Sequence, residues 1–320
     1  MSFPTPSFNS TAEELSAFYA PQIKDKVILT TGISPGSLGA HFVQTIAAHN
    51  PKLLILAARS PAKIQQTADA IAKAHPDVPT RNLVLDLGDL KQVWAAAKQV
   101  LAYGEDIDVL VNSAAVMACP YAETVDGLEL QFGTNHIGHF LFTNAILTKI
   151  LNVKGRVVNV SSAGHRFGGV RFDDISFNSG KSYNQWQSYG QAKSANMLFS
   201  VSLATRYASK GLTSFSLHPG SISTHLGRHL DAEAIAAIPA LDKSLGNYEA
   251  VEGDEGMKTI PQGTSTYVFA AFDQGIAGEN GAYLLNSRVA TPKEIRHGAT
   301  DKDLAERLWR LSNEIVGQEF

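Results

Sequence analysis

Apolar and polar residues follow a repeating pattern along the chain from residue 27 onward. Short apolar runs rich in β-branched residues alternate with amphipathic segments of helical length. This alternation is typical of βαβ units, in which helices connect parallel strands. The predicted strands are a run that ends at Thr31 and six runs near 53–57, 82–86, 108–112, 156–160, 213–218 and 282–285. We therefore predict an α/β fold with a doubly wound, parallel, seven-stranded sheet.

The chain is predicted to form a single domain with a short segment at each end. No internal repeat, low-complexity stretch or Pro/Gly/Ser-rich linker divides it into halves. Ser10 or Thr11, followed three residues later by Glu13 or Glu14, is the signature of a capping box and predicts a short helix before the first strand. The predicted parts are an N-terminal extension, a central dinucleotide-binding catalytic domain and a C-terminal helical segment: 1–24, 25–290 and 291–320.

Two segments, 164–187 and 225–262, fall outside the repeating units. Both follow strands of the second half of the sheet, and ligands of open α/β sheets bind outside the carboxyl ends of the strands. We expect these segments to form the walls of a substrate site, with 225–262 as its lid. The apolar residues of the lid predict either a cover over a hydrophobic substrate or ordinary helix packing: Leu226, Ile235, Ile238 and Leu241.

A glycine-rich turn follows the first predicted strand and opens the next helix. It contains Gly32, Gly36 and Gly39, together with Ser34 and Leu38. Glycines let a backbone approach phosphate closely, and a helix N-terminus offers unpaired N–H groups with partial positive charge. The spacing differs from the common G-x-G-x-x-G pattern, so the position of the turn in the chain is the stronger evidence. The turn predicts the pyrophosphate site of a Rossmann fold.

The same turn also spells G-x-S-x-G, the nucleophile elbow of α/β-hydrolases, with Ser34 as the nucleophile. In that elbow the residue after the serine donates its backbone N–H to the oxyanion, but here that residue is Pro35, which has no N–H. The elbow would also lie on the first strand, which is too early for that fold. The hydrolase is therefore the weaker of the two hypotheses.

The residues after the second predicted strand bear on the choice of dinucleotide. Arg59 and Ser60 lie where the substituent on the ribose 2′ position is expected, and residues 57–61 include no acid. A guanidinium and a hydroxyl suit a 2′-phosphate, whereas NAD favours a carboxylate at this place. The pattern favours NADP(H), and the alternative is that Arg59 is a solvated charge at a strand end.

Tyr189 and Lys193 are four residues apart, so on a helix their side chains project from the same face. An ammonium beside a phenol stabilises the phenolate and lowers the pKa of the tyrosine. We therefore predict that Tyr189 donates and accepts a proton in catalysis. Such pairs are common by chance, and this one gains weight from the glycine turn and the VVNVSS strand that precede it.

Composition and charge narrow the range of partners. The 320 residues are 44% hydrophobic and 18% charged, with a formal net charge of −3 and no basic run, which argues against nucleic acid and anionic membranes. The longest apolar run, 53–58, is far shorter than the roughly 20 residues of a membrane span, and no secretory signal is visible. The single cysteine, Cys119, cannot form an internal disulfide, which fits a reducing compartment. We expect a cytoplasmic protein with no transmembrane segment.

Two histidine pairs have spacings that could place both imidazoles on one helical face, His136 with His139 and His225 with His229. Neither pair has obvious acidic or thiol partners nearby, so no metal site is predicted. Cys119 follows the NSAAVM segment and is expected to be a buried, inert thiol.

Together these motifs resemble the short-chain dehydrogenase/reductase family, within it the retinol-dehydrogenase-like and WW-domain-oxidoreductase-like branch. The resemblance covers most of residues 25–290 and follows the order of motifs in the family. The matching motifs are the glycine turn, Asp86-Leu87, NSAAVM at 112–117, TVDGLELQFGTNHIGHFLFT at 124–143, VVNVSSAGH at 157–165, YGQAK at 189–193 and HPGSIST at 218–224.

The resemblance implies a catalytic tetrad. Ser162 would polarise the substrate carbonyl, and Tyr189 would deliver a proton to its oxygen as hydride arrives. Lys193 would lower the pKa of Tyr189 and hold the nicotinamide ribose, and Asn135 would position a water that links Lys193 to solvent. Further residues would line the adenine and nicotinamide halves of the cofactor: Asp86, Leu87, Asn112, Ala114, Pro219, Gly220, Ile222 and Thr224.

The sequence departs from the family pattern at three places. The glycine turn is one residue longer before Gly39, the fourth position of the family's NNAG motif is Ala115, and the separation of Ser162 from Tyr189 is wider than is common in the family. The first departure could shift the pyrophosphate contacts, while the tetrad can still assemble.

The sequence thus predicts an NADPH-dependent carbonyl reductase, or the reverse alcohol dehydrogenase, that acts on a small apolar substrate. The strand order implied is 3-2-1-4-5-6-7, and the family commonly pairs into homodimers or homotetramers through the helix that carries the catalytic tyrosine. A redox-neutral enzyme or an NADP-binding sensor on the same fold is the alternative.

Overall fold

A computed structural model describes residues 5–247 and 256–320, and its centre is one eight-stranded sheet. The strands of this sheet are β1 (Val27–Thr31), β2 (Leu53–Ala58), β3 (Thr80–Val84), β4 (Val109–Asn112), β5 (Arg156–Val160), β6 (Thr213–His218), β9 (Tyr283–Leu285) and β10 (Arg288–Val289). Two further short strands, β7 (Ser221–Ile222) and β8 (Met257–Lys258), pair with each other in a separate parallel ladder.

The predicted seven-stranded parallel sheet is confirmed. All seven strands pair in parallel, and their order is β9-β6-β5-β4-β1-β2-β3. Every residue of β1 and β2 is buried, as is usual where helices cover both faces of a sheet.

The eighth strand, β10, is a feature that the periodicity of the sequence did not predict. It pairs antiparallel with β9, so it closes the sheet edge as a hairpin. Asn286 and Ser287 form the two-residue turn, and both have positive φ, at 50° and 56°. Positive φ at both central residues is the requirement of a type I′ hairpin turn, for which asparagine is a favoured residue. β10 escaped prediction because it has only two residues.

Helices fill the connections between the strands. The described residues contain α1 (Ala12–Phe18), α2 (Ala20–Ile23), α3 (Leu38–Ala47), α4 (Pro61–Ala74), α5 (Leu90–Leu101), α6 (Leu130–Phe132), α7 (Gly138–Ala145), α8 (Leu147–Leu151), α9 (Gln185–Tyr207), α10 (Ala232–Ala236), α11 (Ile238–Ser244), α12 (Ile260–Phe272) and α13 (Lys302–Val316). A π-helical turn, Gly133–Ile137, joins α6 to α7. Side-chain caps mark several N-termini, for example Asp89 at α5 and Asn184 at α9.

Two hydrophobic clusters, one on each face of the sheet, form most of the core. One joins the sheet to α1, α3, α4 and α12, and the other joins it to α5, α7, α9 and α13. Phe42 and Phe272 stack in the first cluster, and Phe140, Phe199 and Trp309 pack together in the second. Because both clusters pack against the same sheet, the described residues form a single domain.

The two ends of the chain dock on opposite faces. The predicted capping box is present at α1, where Thr11 and Glu14 exchange hydrogen bonds of 3.3 and 2.9 Å. Tyr19, which follows α1, donates to Asp273 at 2.5 Å. At the other end α13 packs along α9, and the Ser202 hydroxyl donates to the carbonyl of Ala305 at 2.9 Å.

Candidate active site

Ser162, Tyr189 and Lys193 meet at the carboxyl end of β5. Ser162 lies two residues after this strand and caps a 3-10 turn, Ala163–Phe167, while Tyr189 and Lys193 lie on the first turns of α9. The Ser162 hydroxyl accepts from the Gly164 N–H at 3.0 Å. Ser162 Oγ and the Tyr189 ring both lie against Gly164, at 3.4 and 2.8 Å from the position of a Cβ there. Lys193 Nζ is 5.5 Å from the centre of the Tyr189 ring. The structure therefore brings three predicted residues into one cluster.

Two glycines allow the catalytic loop to approach α9 this closely. A Cβ at Gly164 would lie 2.8 Å from the Tyr189 ring, and a Cβ at Gly190 would lie 2.6 Å from the backbone nitrogen of Gly168. Both distances are shorter than real Cβ contacts, so a side chain at either position would push the loop away from the helix. The Gly in YGQAK is thus explained by close packing.

Lys193 is fixed by its hydrogen bond to the end of β5. Its Nζ donates to the Val160 carbonyl at 2.9 Å, and the amide of Asn196 donates to the same carbonyl at 3.0 Å. Ser161 closes the arrangement by donating its hydroxyl to the Lys193 carbonyl at 2.8 Å. Hydrogen bonds therefore join the end of β5 to α9 at the site.

Burial controls the protonation of the pair. It raises the pKa of Tyr189 to about 12, against a smaller lowering by the Ser162 hydrogen bond, and it lowers the pKa of Lys193 to about 7. Both shifts favour the neutral forms, because the low-polarity interior disfavours either charge. The prediction that Lys193 lowers the pKa of Tyr189 below its usual value is thus wrong for the two side chains by themselves. The cost of burying the charged tyrosinate exceeds any attraction between it and Lys193.

Asn135 is held on the π-helical turn before α7. Its side-chain amide forms two hydrogen bonds with the backbone of Val116, at 2.8 and 2.9 Å. The backbone carbonyl of Asn135 accepts from His139 Nδ1 at 3.0 Å. The amide is thus occupied by the NSAAVM segment.

Thr31 and His139 form a buried link that the sequence did not reveal. Because His139 Nδ1 faces a carbonyl, Nε2 carries the lone pair and accepts from the Thr31 hydroxyl at 2.9 Å. The Thr31 oxygen also accepts the N–H groups of Ser113 and Ala114, at 2.9 and 3.0 Å. This link joins β1, the NSAAVM segment and the helix of Asn135.

We expect Thr31→Val to lower the free energy of unfolding by about 2–4 kcal/mol, because it leaves two backbone donors and an imidazole nitrogen without their partner. Urea denaturation measures this loss. Thr30→Val is the matched control, since the Thr30 hydroxyl is equally buried and has no hydrogen-bond partner among the described residues. Equal losses in both variants would contradict this account of Thr31.

The glycine turn has a geometry that suits a phosphate group. Gly32 and Gly36 have φ of +76° and +77°, and a Cβ at Gly32 would lie 2.6 Å from the Cα of Ala114. Ser37 caps α3 by accepting from the Ala40 N–H at 3.1 Å, and Gly39 packs against the Gly32 carbonyl. The backbone therefore lies close to the start of the ten-residue helix α3, where N–H groups point outward.

Arg59, Ser60, Asp86 and Leu87 lie at the carboxyl ends of β2 and β3, on the same sheet edge as the glycine turn. Arg59 is exposed, and Ser60 caps α4 through a 3.4 Å bond from the Lys63 N–H. Asp86 is half-buried and accepts from the Gly88 N–H at 3.0 Å, whereas Leu87 is buried. Arg59 thus presents an exposed cation at the carboxyl end of β2.

Asn112 is held from inside the sheet. Its side chain is buried and donates to Thr143 and Asn159, at 3.0 and 2.8 Å. The contact of Asn112 with the adenine half of the cofactor stays a prediction. Ala114 lies beyond it against Gly32, at the surface of the turn.

The predicted nicotinamide side follows β6. Gly220 has φ of +100°, and Pro219, which precedes it, is half-buried. Ile222 packs so tightly on Gly263 that a Cβ there would lie 2.2 Å from its Cδ1, and Thr224 caps the next 3-10 turn. This segment runs between β6 and the lid.

The described residues of the lid are 225–247 and 256–262, while 248–255 lie outside the described residues. The first of these two stretches packs over Tyr189. Ile238 and Leu241 pack with Leu230 against a buried cluster that contains Tyr189: Ala118, Phe167, Trp186 and Tyr189. Leu226 is half-buried, and Ile235 points outward, with 53% of its surface exposed, so it does not belong to the predicted apolar cover.

Polar contacts anchor this lid to the catalytic loop. Arg166 Nε lies 3.1 Å from both carboxylate oxygens of Asp242, and the amide of Asn247 donates to the Arg166 carbonyl at 2.9 Å. Trp186 Nε1 donates to the Ala234 carbonyl at 2.9 Å. These bonds hold the described part of the lid against the catalytic loop and α9.

The histidine pairs and the cysteine have partners or positions unrelated to metal. His136 Nε2 forms a hydrogen bond with the Ser312 hydroxyl at 2.9 Å, while His225 and His229 are exposed. Within 5–247 and 256–320, no group of three or more potential ligands is close enough to hold a metal ion. Cys119 is buried, and burial raises the pKa of its thiol.

Comparison with known proteins agrees with this geometry. The family described as short chain dehydrogenase matches residues 26–173. The chloroplastic short-chain dehydrogenase TIC 32 B of Brassica napus is 33% identical over 96% of this chain and 93% of its own. The chain belongs to the short-chain dehydrogenase/reductase family. Retinol dehydrogenase 14 of Mus musculus, 34% identical over 91% of this chain and 86% of its own, supports the predicted retinol-dehydrogenase-like branch.

A solved structure from Mycobacterium paratuberculosis extends the agreement to the fold of this short-chain dehydrogenase/reductase. It is 29% identical, covers 93% of this chain and 96% of its own, and has a TM-score of 0.67. NADPH-bound carbonyl reductase from chicken fatty liver, at 20% identity and a TM-score of 0.58, shares the fold. The protein is therefore a dehydrogenase/reductase that uses a nicotinamide cofactor. No helix among its described residues is long and apolar enough to span a membrane.

Proposed function

We propose that this protein is an NADPH-dependent reductase that interconverts an apolar ketone or aldehyde and its alcohol. The observation that carries the proposal is the cluster of Ser162 and Tyr189, which both lie against Gly164, with Lys193 Nζ 5.5 Å from the centre of the Tyr189 ring, at the carboxyl end of the sheet. Ligands of open α/β sheets bind at this edge. The bound cofactor would supply or accept the hydride.

The hydrogen bonds around Ser162 support a direction for the proton. Because the Gly164 N–H donates to the Ser162 oxygen, the Ser162 hydroxyl proton is available to donate, either to Tyr189 or to a carbonyl oxygen. With its pKa raised by burial, Tyr189 holds its proton until an oxygen beside it gains negative charge. We propose Tyr189 as the general acid in reduction and the general base in oxidation, and Ser162 as the group that polarises the carbonyl.

Lys193 and Asn135 complete the proposed tetrad as supporting groups. Lys193 would hold the nicotinamide ribose and, once charged, favour the tyrosinate during oxidation. Asn135, whose carbonyl is fixed by His139, would bind a water that leads from Lys193 to solvent. The residues proposed to hold the cofactor are the glycine turn, Arg59, Ser60, Asp86, Leu87, Asn112, Ala114, Pro219, Gly220, Ile222 and Thr224.

The side chains packed around Tyr189 support an apolar substrate. They are largely hydrocarbon, from Phe167, Trp186, Ile238 and Leu241. An apolar wall with few convergent polar groups fits a hydrophobic molecule that carries one reactive oxygen. We propose a cytoplasmic location because the single cysteine fits a reducing compartment, and a homodimer or homotetramer on family grounds.

The first test is a calorimetric titration with NADPH and, separately, with NADH. We expect much tighter binding of NADPH, and a screen of carbonyl compounds that follows NADPH absorbance then identifies substrates. Binding of neither dinucleotide would overturn the proposal. Product formation without any change in cofactor absorbance would instead assign a redox-neutral reaction, and tight binding without turnover of any carbonyl would favour an NADP sensor.

Arg59→Ala is expected to weaken NADPH binding by about 10- to 100-fold while NADH binding stays unchanged, because a hydrogen-bonded charge pair contributes about 1.5–3 kcal/mol. The same calorimetric titration measures both. Lys73→Ala, which removes an exposed cation from the far end of α4, is the matched control and should change neither affinity. An equal loss for NADPH and NADH would show that Arg59 does not contact a 2′-phosphate.

A further inference from the structure

His165 is a buried histidine in the catalytic loop to which the proposed mechanism gives no part. Its side chain is 3% exposed, and it lies three residues after Ser162. Nδ1 is 2.7 Å from the Ser162 carbonyl oxygen, and Nε2 is 3.1 Å from the backbone nitrogen of Arg296. The ring also meets Tyr283 edge-on, with 5.1 Å between centroids.

The two backbone partners determine where the imidazole carries its proton. The Arg296 N–H can only donate, so Nε2 must carry the lone pair, and the Ser162 carbonyl can only accept, so Nδ1 must carry the hydrogen. Burial lowers the pKa of His165 to about 4, against the smaller effect of the Ser162 hydrogen bond. The neutral Nδ1–H form therefore satisfies both partners at working pH.

These bonds connect the reacting serine to a distant part of the chain. The Ser162 carbonyl accepts from both the backbone N–H and the ring of His165, at 3.1 and 2.7 Å. On the opposite edge of the ring, Nε2 accepts from the backbone N–H of Arg296, in the segment between β10 and α13. The His165 carbonyl is itself held by the Ser194 hydroxyl at 3.1 Å, one residue beyond Lys193.

We propose that His165 is a positioning residue for the reduction: its Nδ1–H fixes the peptide of Ser162, and so aims the Ser162 hydroxyl at the oxygen that Tyr189 protonates. The connection to Arg296 keeps the imidazole in the tautomer that can do this. This inference rests on the proposed function, because it assigns His165 to the reaction of Ser162 and Tyr189. Holding a polarising group in place is worth large rate factors, since a displacement of about 1 Å can cost about 100-fold.

Amide substitutions separate the two hydrogen bonds of the ring. In His165→Asn the amide nitrogen takes the place of Nδ1 and can still donate to the Ser162 carbonyl, whereas the bond to Arg296 is lost. In His165→Gln the amide oxygen takes the place of Nε2 and can still accept from Arg296, whereas the bond to Ser162 is lost. His49→Gln, at a half-buried histidine that bonds Ser16 far from the site, is the control.

We expect His165→Gln to lower kcat by about 10- to 100-fold with KM and NADPH affinity unchanged, and His165→Asn to restore most of kcat. A role confined to stability would lower the melting temperature of both variants and leave kcat per folded molecule unchanged. Equal kcat in the Gln, Asn and parent proteins would therefore overturn the proposal.

Amide hydrogen exchange tests the same proposal without substrate. The N–H groups of Gly164 and His165 both donate to Ser162, so both should exchange faster in His165→Gln than in His165→Asn or the parent. Unchanged exchange would overturn the positioning role. If exchange differs between the variants as expected but the parent protein reduces no carbonyl, the positioning role stands and the proposed function has failed.

Discussion

Tyr189→Phe is expected to lower kcat by about 10²- to 10⁴-fold, the contribution typical of a well-placed general acid. The change removes one oxygen atom, and the phenyl ring keeps the edge-on packing of Tyr189 against Trp186. Ser162 keeps its bond from the Gly164 N–H, so the polarising group stays in place. NADPH binding should therefore be retained while turnover is lost, and steady-state kinetics with calorimetry measures both.

The matched control is Tyr103→Phe. Tyr103 follows α5, and its buried hydroxyl has no hydrogen-bond partner within the described part of the chain, so the same atom is removed from a site remote from Tyr189. This control should keep full turnover. A fully active Tyr189→Phe variant would remove Tyr189 from the chemistry and with it the assignment of the reaction.

The number of parallel strands could be predicted because its signals are local. Each of the seven parallel strands is an apolar run, and the runs are separated by segments of helical length, so the number of strands is visible in the pattern. The third strand lies at Thr80–Val84, two residues before its predicted place, because its burial is incomplete and the apolar residues continue beyond it. The β9–β10 hairpin depends on two backbone angles at Asn286 and Ser287, which no periodicity records.

The cluster of Tyr189 and Lys193 could be predicted from helical spacing, whereas Ser162 came from the resemblance to the family. The hydrogen bonds that hold the site could not be predicted, because their partners are far apart in the chain. Thr31 bonds Ser113, 82 positions away, and His139, 108 positions away. The side-chain partners of Asn112, Thr143 and Asn159, are likewise distant in the chain and could not be read from its motif.

The protonation of the pair was also beyond the sequence, because spacing shows that two groups are close but not whether water surrounds them. Lys193 is 2% exposed and Tyr189 is 4% exposed. At this burial the cost of a charge exceeds the gain from a neighbour of opposite sign, so both groups shift toward neutrality. The buried amine of Lys193 therefore lowers the free energy of unfolding of the protein.

Lys193→Met is expected to raise the free energy of unfolding at pH 6 by about 1–4 kcal/mol while it abolishes turnover. Replacing a buried charge by an apolar side chain of similar length often stabilises a protein by this amount. The Val160 carbonyl keeps its bond from Asn196, so the substitution leaves no unsatisfied acceptor there. Urea denaturation and the NADPH assay measure the two effects, and such opposite changes are usual where function requires a destabilising residue.

The pH dependence of the stability gain shows whether the buried amine of Lys193 causes it. Between pH about 7 and its ordinary pKa of 10.5, Lys193 binds a proton when unfolded but not when folded, so its unfavourable effect on stability diminishes as the pH rises. Below pH about 7 it is protonated in both states and the full cost is present. The gain of the Met variant over the parent should therefore be largest at pH 6 and smaller at pH 9. A gain that is the same at both pH values would show that better packing, and not the removal of a buried amine, explains the added stability.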